Sequence, residues 1–224
     1  MRISIIIPVL DEAEALASNL QKLQIAREQG HEIIVVDGGS KDESQRLAEP
    51  QVDQLVISKR GRALQMNKGA KVATGDVLLF LHADTVLPDD GIAAIMNTVN
   101  LGQDTWGRFD VCLSGNRVFF RVIGTMMNWR SRISGIATGD QALFITRHLF
   151  QHIQGFASIP LMEDIEICRR LKKTHSPICL SQKVMTSSRR WELNGVFKTI
   201  ILMWHLRLAY WLGVDPATLV RQYR

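Results

Sequence analysis

Four apolar runs of strand length, set among short loops and helix-like stretches, constrain this chain more than any other feature of its sequence. The first, Ile3 to Val9, precedes Ala13 to Gln29, in which Leu16, Leu20 and Leu23 recur at helical spacing. The second, Glu32 to Val36, runs into Asp37-Gly38-Gly39-Ser40, and Ser40 with Glu43 has the spacing of a capping box for the next helix. Gln54 to Ser58 is the third. Arg62 to Ala73 then reads as a helix closed by Gly75, and Val77 to Leu81 as a fourth strand, apolar enough for burial on both faces. Strand, loop and helix in succession imply right-handed crossovers and an α/β fold. Its mostly parallel sheet places a ligand crevice at the carboxyl ends of the strands.

Past Asp84 the pattern loosens. A helix is expected from Pro88 to about Val99, a strand from Trp106 to Leu113 and a helix from Arg117 to about Ser134. A loop from Gly135 to Asp140, a strand from Gln141 to Thr146 and a charged helix from Met162 to Lys173 follow. No linker divides these segments, so residues 1–191 read as one domain and 192–224 as a helical tail. Within the tail, Val196 to Leu212 is apolar but interrupted by Lys198, His205 and Arg207. A spanning helix needs about 20 predominantly apolar residues. The tail therefore packs on the core or lies in a membrane interface on its Trp and Arg anchors.

At 224 residues, 46% of them hydrophobic, the chain can bury a core without disulfides or structural metal. Cys112, Cys168 and Cys179 are odd in number and form no CxxC pair, which points to a reducing compartment and away from a zinc ribbon. The start, MRISIIIPVL, lacks a basic region, a long apolar stretch and a cleavage site, so a cytoplasmic location is expected, with peripheral contact at the inner face of the membrane. A net charge of +5 suits an anionic ligand, an anionic membrane or nucleic acid. With no RNP-like motif, Cys/His finger or long basic run, nucleic acid is not expected as a partner.

Acidic residues stand at the ends of three of the strands: Asp11-Glu12, Asp37 and Asp84, the last in His82-Ala83-Asp84. In a parallel sheet these ends converge. A lone Asp there is often a helix cap or turn residue. Gathered carboxylates repel unless something positive joins them, and a divalent cation on a diphosphate would do so.

The segments SIIIPVLDE, EIIVVDGGSKD, GRALQMNKGAKVATGDVLLFLHADT, GDQALF, MEDIEICRRL and SRRW, in this order, resemble the inverting GT-A glycosyltransferases of family 2 over roughly residues 1 to 191. GRALQMN and FLHADT are similar to small bacterial members, some of them associated with arsenosugar biosynthesis. The resemblance implies a GT-A fold, a nucleotide-diphospho-sugar donor (UDP before GDP), Mg²⁺ or Mn²⁺, and an acceptor it does not identify. It also leaves oligomeric state open. By the same resemblance Asp11, Glu12 and Asp37 contact the nucleotide, Asp84 is the metal ligand of a DxD-like motif, and Arg62 touches the donor. His82 stands where the family usually has Asp; it contacts the ribose, ligates Mn²⁺ or packs. Arg189 or Arg190 meets the diphosphate while Trp191 lines the acceptor path, although a basic patch facing a membrane competes for that segment. Asp164 is the base that deprotonates the acceptor, supported by Glu163, and Asp140 holds an acceptor hydroxyl or the donor sugar. Two other readings are a sugar-phosphate nucleotidyltransferase, whose Gly-rich amino-terminal loop IIIPVLDE lacks, and a catalytically silent binding or membrane-docking module.

Overall fold

The period of two along the strands splits the core between two helical layers. In β1 (Ile3–Val9), Ile3, Ile5, Ile7 and Val9 face one layer and Ile6 the other, all of them buried. The first layer receives Leu16, Leu20 and Leu23 from α1 (Ala13–Glu28). In β2 (Glu32–Asp37), Ile33 and Val35 join that layer, whereas Ile34 and Val36 join the second. After α2 (Ser44–Ala48) and β3 (Gln54–Ile57), α3 (Arg62–Val72) supplies Ala63 and Met66 to the second layer. β4 (Val77–Phe80) divides likewise, with Val77 and Leu79 on one side and Leu78 and Phe80 on the other. α3 lies very close to the sheet at Gly69, where a Cβ would stand 2.5 Å from Ile6 Cγ2 and 2.9 Å from Val36 Cγ2.

The structure, a computed structural model, describes residues 1–100, 102–115 and 117–223, with the side chain of Arg190 outside the described set. Its second half comprises β5 (Thr85–Val86), α4 (Gly91–Thr98), β6 (Trp106–Leu113), α5 (Val118–Ser134), β7 (Leu143–Thr146), α6 (Arg147–His152), α7 (Glu163–Leu171), β8 (Ile178–Thr186), α8 (Arg189–Asn194), α9 (Val196–Trp211) and α10 (Pro216–Tyr223). One eight-stranded sheet has the order β3-β2-β1-β4-β7-β6-β8-β5. The pairs β2–β3, β1–β2, β1–β4 and β6–β8 are parallel. β4–β7, β6–β7 and β5–β8 are antiparallel, so the parallel register of the first half gives way at β7.

Several local expectations differ from the structure. Ser40 does not cap α2; its Oγ accepts the Asp11 amide at 3.0 Å, and Asp42 Oδ1 accepts the Ser44 amide instead. The helix expected from Pro88 begins at Gly91. The tail is two helices, and Leu206 and Leu219 from them are buried with Leu161 and Met162, the residues leading into α7. Among the described residues no helix is long and apolar enough to cross a membrane.

Glu32 ties the amino-terminal end of the sheet together. Its buried carboxylate accepts from Ser4 Oγ at 2.6 Å, the Thr74 amide at 2.8 Å and Gln54 Nε2 at 3.2 Å. Burial alone would raise its pKa, but the bonds from Ser4 and Thr74 outweigh it and hold the carboxyl below the usual 4.5. Folding therefore favours the ionised form: the contribution is complete above the unfolded value of 4.5 and is lost as pH falls through the lower folded value. Glu32→Ala should cost about 1–3 kcal/mol at neutral pH by stranding these donors. Denaturant titrations should show the deficit shrinking in acid, and a deficit that persists undiminished near pH 3 would contradict this account.

Candidate functional site

β1 and β4 are parallel neighbours, so the chain leaves both on the same side, with Glu12 after one and Asp84 after the other. A cavity of about 790 Å³ opens there. Glu12, Arg60, Arg62, His82, Asp84 and Asp140 line it, together with Glu163 from the start of α7 and Arg189 and Trp191 from α8. Thr199 and Met203 of α9 and Val220 and Tyr223 of α10 form a further wall.

Three expected residues lie off its lining: Asp37, Asp11 and Asp164. Asp37 ends β2 fully buried, with Oδ1 accepting the Gly39 amide at 2.7 Å, the Ser40 amide at 2.9 Å and Gln45 Nε2 at 3.1 Å. Gly39 takes φ 93°, the left-handed conformation this turn needs. Asp37 Oδ2 is buried without a hydrogen-bond partner. Asp11, exposed, accepts the Lys41 amide at 2.7 Å and so joins the loop after β1 to the loop after β2. Gln65, which the sequence did not single out, lines the cavity and donates to Val9 O and Val36 O, both at 2.8 Å.

Most acids in the crevice have a cationic neighbour. Arg189 Nη2 stands 2.9 Å from each carboxylate oxygen of Glu12, a pair 177 residues apart in sequence. Arg62 Nη1 lies 3.5 Å from Glu163 Oε1. Burial would lower the Arg62 pKa, but the negative charge of Glu163, followed by Tyr223, Asp140 and Asp164, raises it. His82 Nδ1 is 3.5 Å from Asp140 Oδ1, and Gly139 packs so tightly on the imidazole that any Cβ there would overlap it. Desolvation works to raise the Asp140 pKa; the hydrogen bond with His82 and the charges of His82, Arg62 and Arg207 bring it below the ordinary value.

Glu163 and Asp164 begin α7 after Met162, whose φ of 68° turns the chain into the helix. Glu163 is buried on the cavity wall. Asp164 lies one step behind, its Oδ2 accepting the Gly139 amide at 3.0 Å, beside a small hollow that also contains Cys168. Arg130 of α5 and Arg207 of α9, neither anticipated from sequence, both sense the charge of Asp164. Arg130 Nε and Nη2 are buried without hydrogen-bond partners, and burial, then the like charge of Arg207, lowers its pKa to about 10. Arg190, named from sequence, has its side chain outside the described residues.

The model of the family described as glycosyl transferase family 2 matches residues 4–160. The undecaprenyl-phosphate 4-deoxy-4-formamido-L-arabinose transferase of Pseudomonas syringae pv. syringae is 33% identical over 116 residues, 47% of this chain and 34% of that protein. The chain thus spans about a third of the length of that curated relative. Among solved structures, S. aureus TarS 1-349 in complex with UDP-GlcNAc superposes with a TM-score of 0.64 at 15% identity, covering 84% of this chain and 58% of that one. The mannosyltransferase PcManGT from Pyrobaculum calidifontis, in complex with GDP-Man and Mn²⁺, gives 0.61 at 21% identity, covering 82% and 56%. At these identities the likeness establishes the fold: GT-A, with carboxyl-terminal helices.

Burial and the adjacent charge of Asp164 raise the Glu163 pKa above its ordinary 4.5, with Arg62 opposing them. The folded state therefore holds this proton more tightly than the unfolded chain. The resulting stability is present in full below the unfolded value and is lost as pH rises through the folded one. Glu163→Gln, which imitates the protonated form, should raise the melting temperature at pH near 8 and change it little near pH 4. A lower melting temperature at pH near 8 would show that the contact with Arg62 outweighs the cost of burying the charge.

Proposed function

Because the chain belongs to glycosyl transferase family 2, we propose that it moves a sugar, with inversion, from a nucleotide-diphosphate sugar to an acceptor hydroxyl. The observation that carries this reading is the cavity at the carboxyl ends of β1 and β4, where Asp84, Arg62, Glu163 and Arg189 meet. UDP is the nucleotide we favour, as in the TarS complex. In this reading residues 1–191 form the catalytic unit and 192–224 a tail that closes its far wall.

Glu12, with Asp11 and Asp37 on the adjoining loops, faces the nucleoside. Asp37 Oδ2 has no hydrogen-bond partner but is buried off the cavity lining, so a base or ribose would reach it only with movement of the Gly38–Ser40 turn. Arg62 and one of Arg189 and Arg190 hold the diphosphate, for which a guanidinium supplies paired donors. Among the described residues no group of three or more His, Cys, Asp or Glu is arranged to hold a metal. A single carboxylate can nevertheless suffice for Mg²⁺ or Mn²⁺, whose shell phosphate and water would complete. Asp84 lines the cavity and, among the described residues, forms no ion pair, which leaves it available as that ligand. The bound cation would stabilise charge on the departing diphosphate.

Asp164 takes the acceptor's proton as the acceptor oxygen bonds to the anomeric carbon and the bond from that carbon to the diphosphate oxygen breaks on the opposite face. Glu163 beside it and Asp140 across the turn position the acceptor; His82 orients Asp140, and Trp191 borders the acceptor's path. The Pseudomonas relative is a transferase named for undecaprenyl phosphate, and an acceptor hydroxyl carried on a lipid suits the apolar wall that Leu161, Met203 and Val220 offer. We place the reaction on the cytoplasmic side, with α9 in peripheral contact with the membrane. A thermal-shift panel of UDP-, GDP- and dTDP-sugars, with and without Mn²⁺, tests the donor: a native-state ligand at a hundred times its Kd adds about 2.7 kcal/mol of stability.

Asp84→Ala should remove the Mn²⁺-dependent part of donor binding and leave the fold intact. Unchanged metal dependence in isothermal titration would sink the assignment. Asp164→Asn should lower turnover about 10²- to 10⁴-fold with donor Kd preserved, and Glu163→Gln assayed beside it separates the two carboxylates. Near-normal turnover in Asp164→Asn would reject that residue as the base, and loss of donor binding would move it to the donor side.

A further inference from the structure

α5 and α9 each carry large apolar side chains that the fold leaves uncovered. On α5 these are Val118, Phe119, Val122, Met126, Trp129 and Ile133; on α9 they are Phe197, Ile201, Trp204, Leu208 and Trp211. At 100° per residue each set falls within an arc of about 100°, so each is a stripe along one side of its helix. The opposite sides are occupied. Phe120, Ile123 and Asn128 of α5 are buried, as is Leu206 of α9, while Thr199 and Met203 of α9 line the cavity.

The two stripes adjoin. The rings of Phe119 and Phe197 are 6.5 Å apart, and further along the same helices the charge of Arg207 acts on Arg130. The amino-terminal turns of α5 and α9 thus meet, and Val196 of α9 packs on the cluster that holds Phe120 and Ile123 of α5. Neither helix contains an Asp or Glu, whereas Arg121, Arg130, Arg132, Lys198 and Arg207 are all basic. Arg121 and Lys198 are exposed, and of the group Arg132 is spoken for by Asp110 at 2.9 Å.

We propose that α5 and α9 together form a docking face for an anionic lipid bilayer, with the apolar stripes inserted and Arg121 and Lys198 at the headgroups. The charge selects this occupant. A second copy of the chain would bring like charges together over the same surface, whereas an anionic bilayer complements them. Trp129, Trp204 and Trp211 are of the side-chain type that settles where apolar and polar environments meet. With α9 a wall of the cavity, docking would hold that wall against the membrane. The proposal extends the α9 contact described under the proposed function by assigning half of the face to α5, and it rests on no step of the transfer reaction.

The test is co-sedimentation of the full chain with vesicles of mixed phosphatidylglycerol and phosphatidylcholine, and with vesicles of phosphatidylcholine alone. The chain should pellet with the anionic vesicles and remain in solution with the neutral ones. Trp129→Ser and Ile133→Ser on α5, and Trp204→Ser on α9, should each weaken partitioning about tenfold or more. Arg121→Glu combined with Lys198→Glu should do the same, and added salt should weaken binding. The proposal is overturned if both α5 variants bind like the unaltered chain while Trp204→Ser does not, since α9 would then act alone. It is also overturned by equal binding to both kinds of vesicle, by binding to neither, or by a dimer in light scattering that Trp129→Ser dissociates. Donor thermal shifts run on every variant confirm folding and keep the two readings apart. Intact vesicle binding with no shift from any donor would sink the glycosyl-transfer reading and leave the docking face standing.

Discussion

Strands β2, β1 and β4 are covered by helices on both faces, so a polar side chain along them would give up its water and need a partner inside the protein. Ser4 and Glu32 are such an exception, and they satisfy each other at 2.6 Å. Elsewhere these strands are apolar, which displaces polar chemistry to their ends. Because the three run parallel, their carboxyl ends open on one side, and loops far apart in sequence meet there. Gln65 shows how closely: from α3 it reaches the last carbonyl of β1 and the second-to-last of β2, and a Cβ at Gly38 would stand 3.1 Å from its amide.

This constraint explains what could be read from sequence. β1 and β6 were bounded correctly, and the acids after β1 and β4 were expected at one crevice because burial on both faces leaves a long, unmistakable apolar run. β8 was missed for the opposite reason: its residues Ile178–Thr186 alternate between exposed and buried without a strong apolar signal, and β6 and β5 define the strand by pairing. The capping box failed because Ser40 had a competing partner. Its hydroxyl belongs to Asp11, 29 positions back in a different loop, a contact no local pattern encodes. The same holds for the cavity wall formed by α9 and α10, and for Arg130 and Arg207, whose relation to Asp164 exists solely in three dimensions.

The crevice also refines the argument from gathered carboxylates to a metal. In the folded chain arginine already answers much of the negative charge: Arg189 meets Glu12 and Arg62 meets Glu163. The cluster as a whole therefore does not demand a cation. The demand contracts to Asp84, which shares the cavity with these pairs and, among the described residues, is in no ion pair. A phosphate arriving in the crevice would compete with Glu12 for Arg189, so the exposed pair that closes one side of the cavity can be exchanged at small cost, as surface pairs contribute about 0–1 kcal/mol. Glu163 is buried where Arg62 is exposed, and their contact connects the donor side of the crevice to the carboxylates proposed to act on the acceptor.

The apolar character of α9 follows from the same geometry. A helix hydrophobic around most of its circumference is normally buried or spans a bilayer. α9 has 16 residues and a length of about 24 Å, short of the roughly 30 Å of hydrocarbon it would have to cross. Its two sides instead meet two different surroundings: Thr199, Met203 and Leu206 turn toward the cavity and the core, and Ile201, Trp204, Leu208 and Trp211 turn outward. Lys198, His205 and Arg207 fall between these sides or at their margins. Those are the positions where a charge can stand without entering either apolar surface, so the residues that interrupt the run in sequence are the ones that divide it in space.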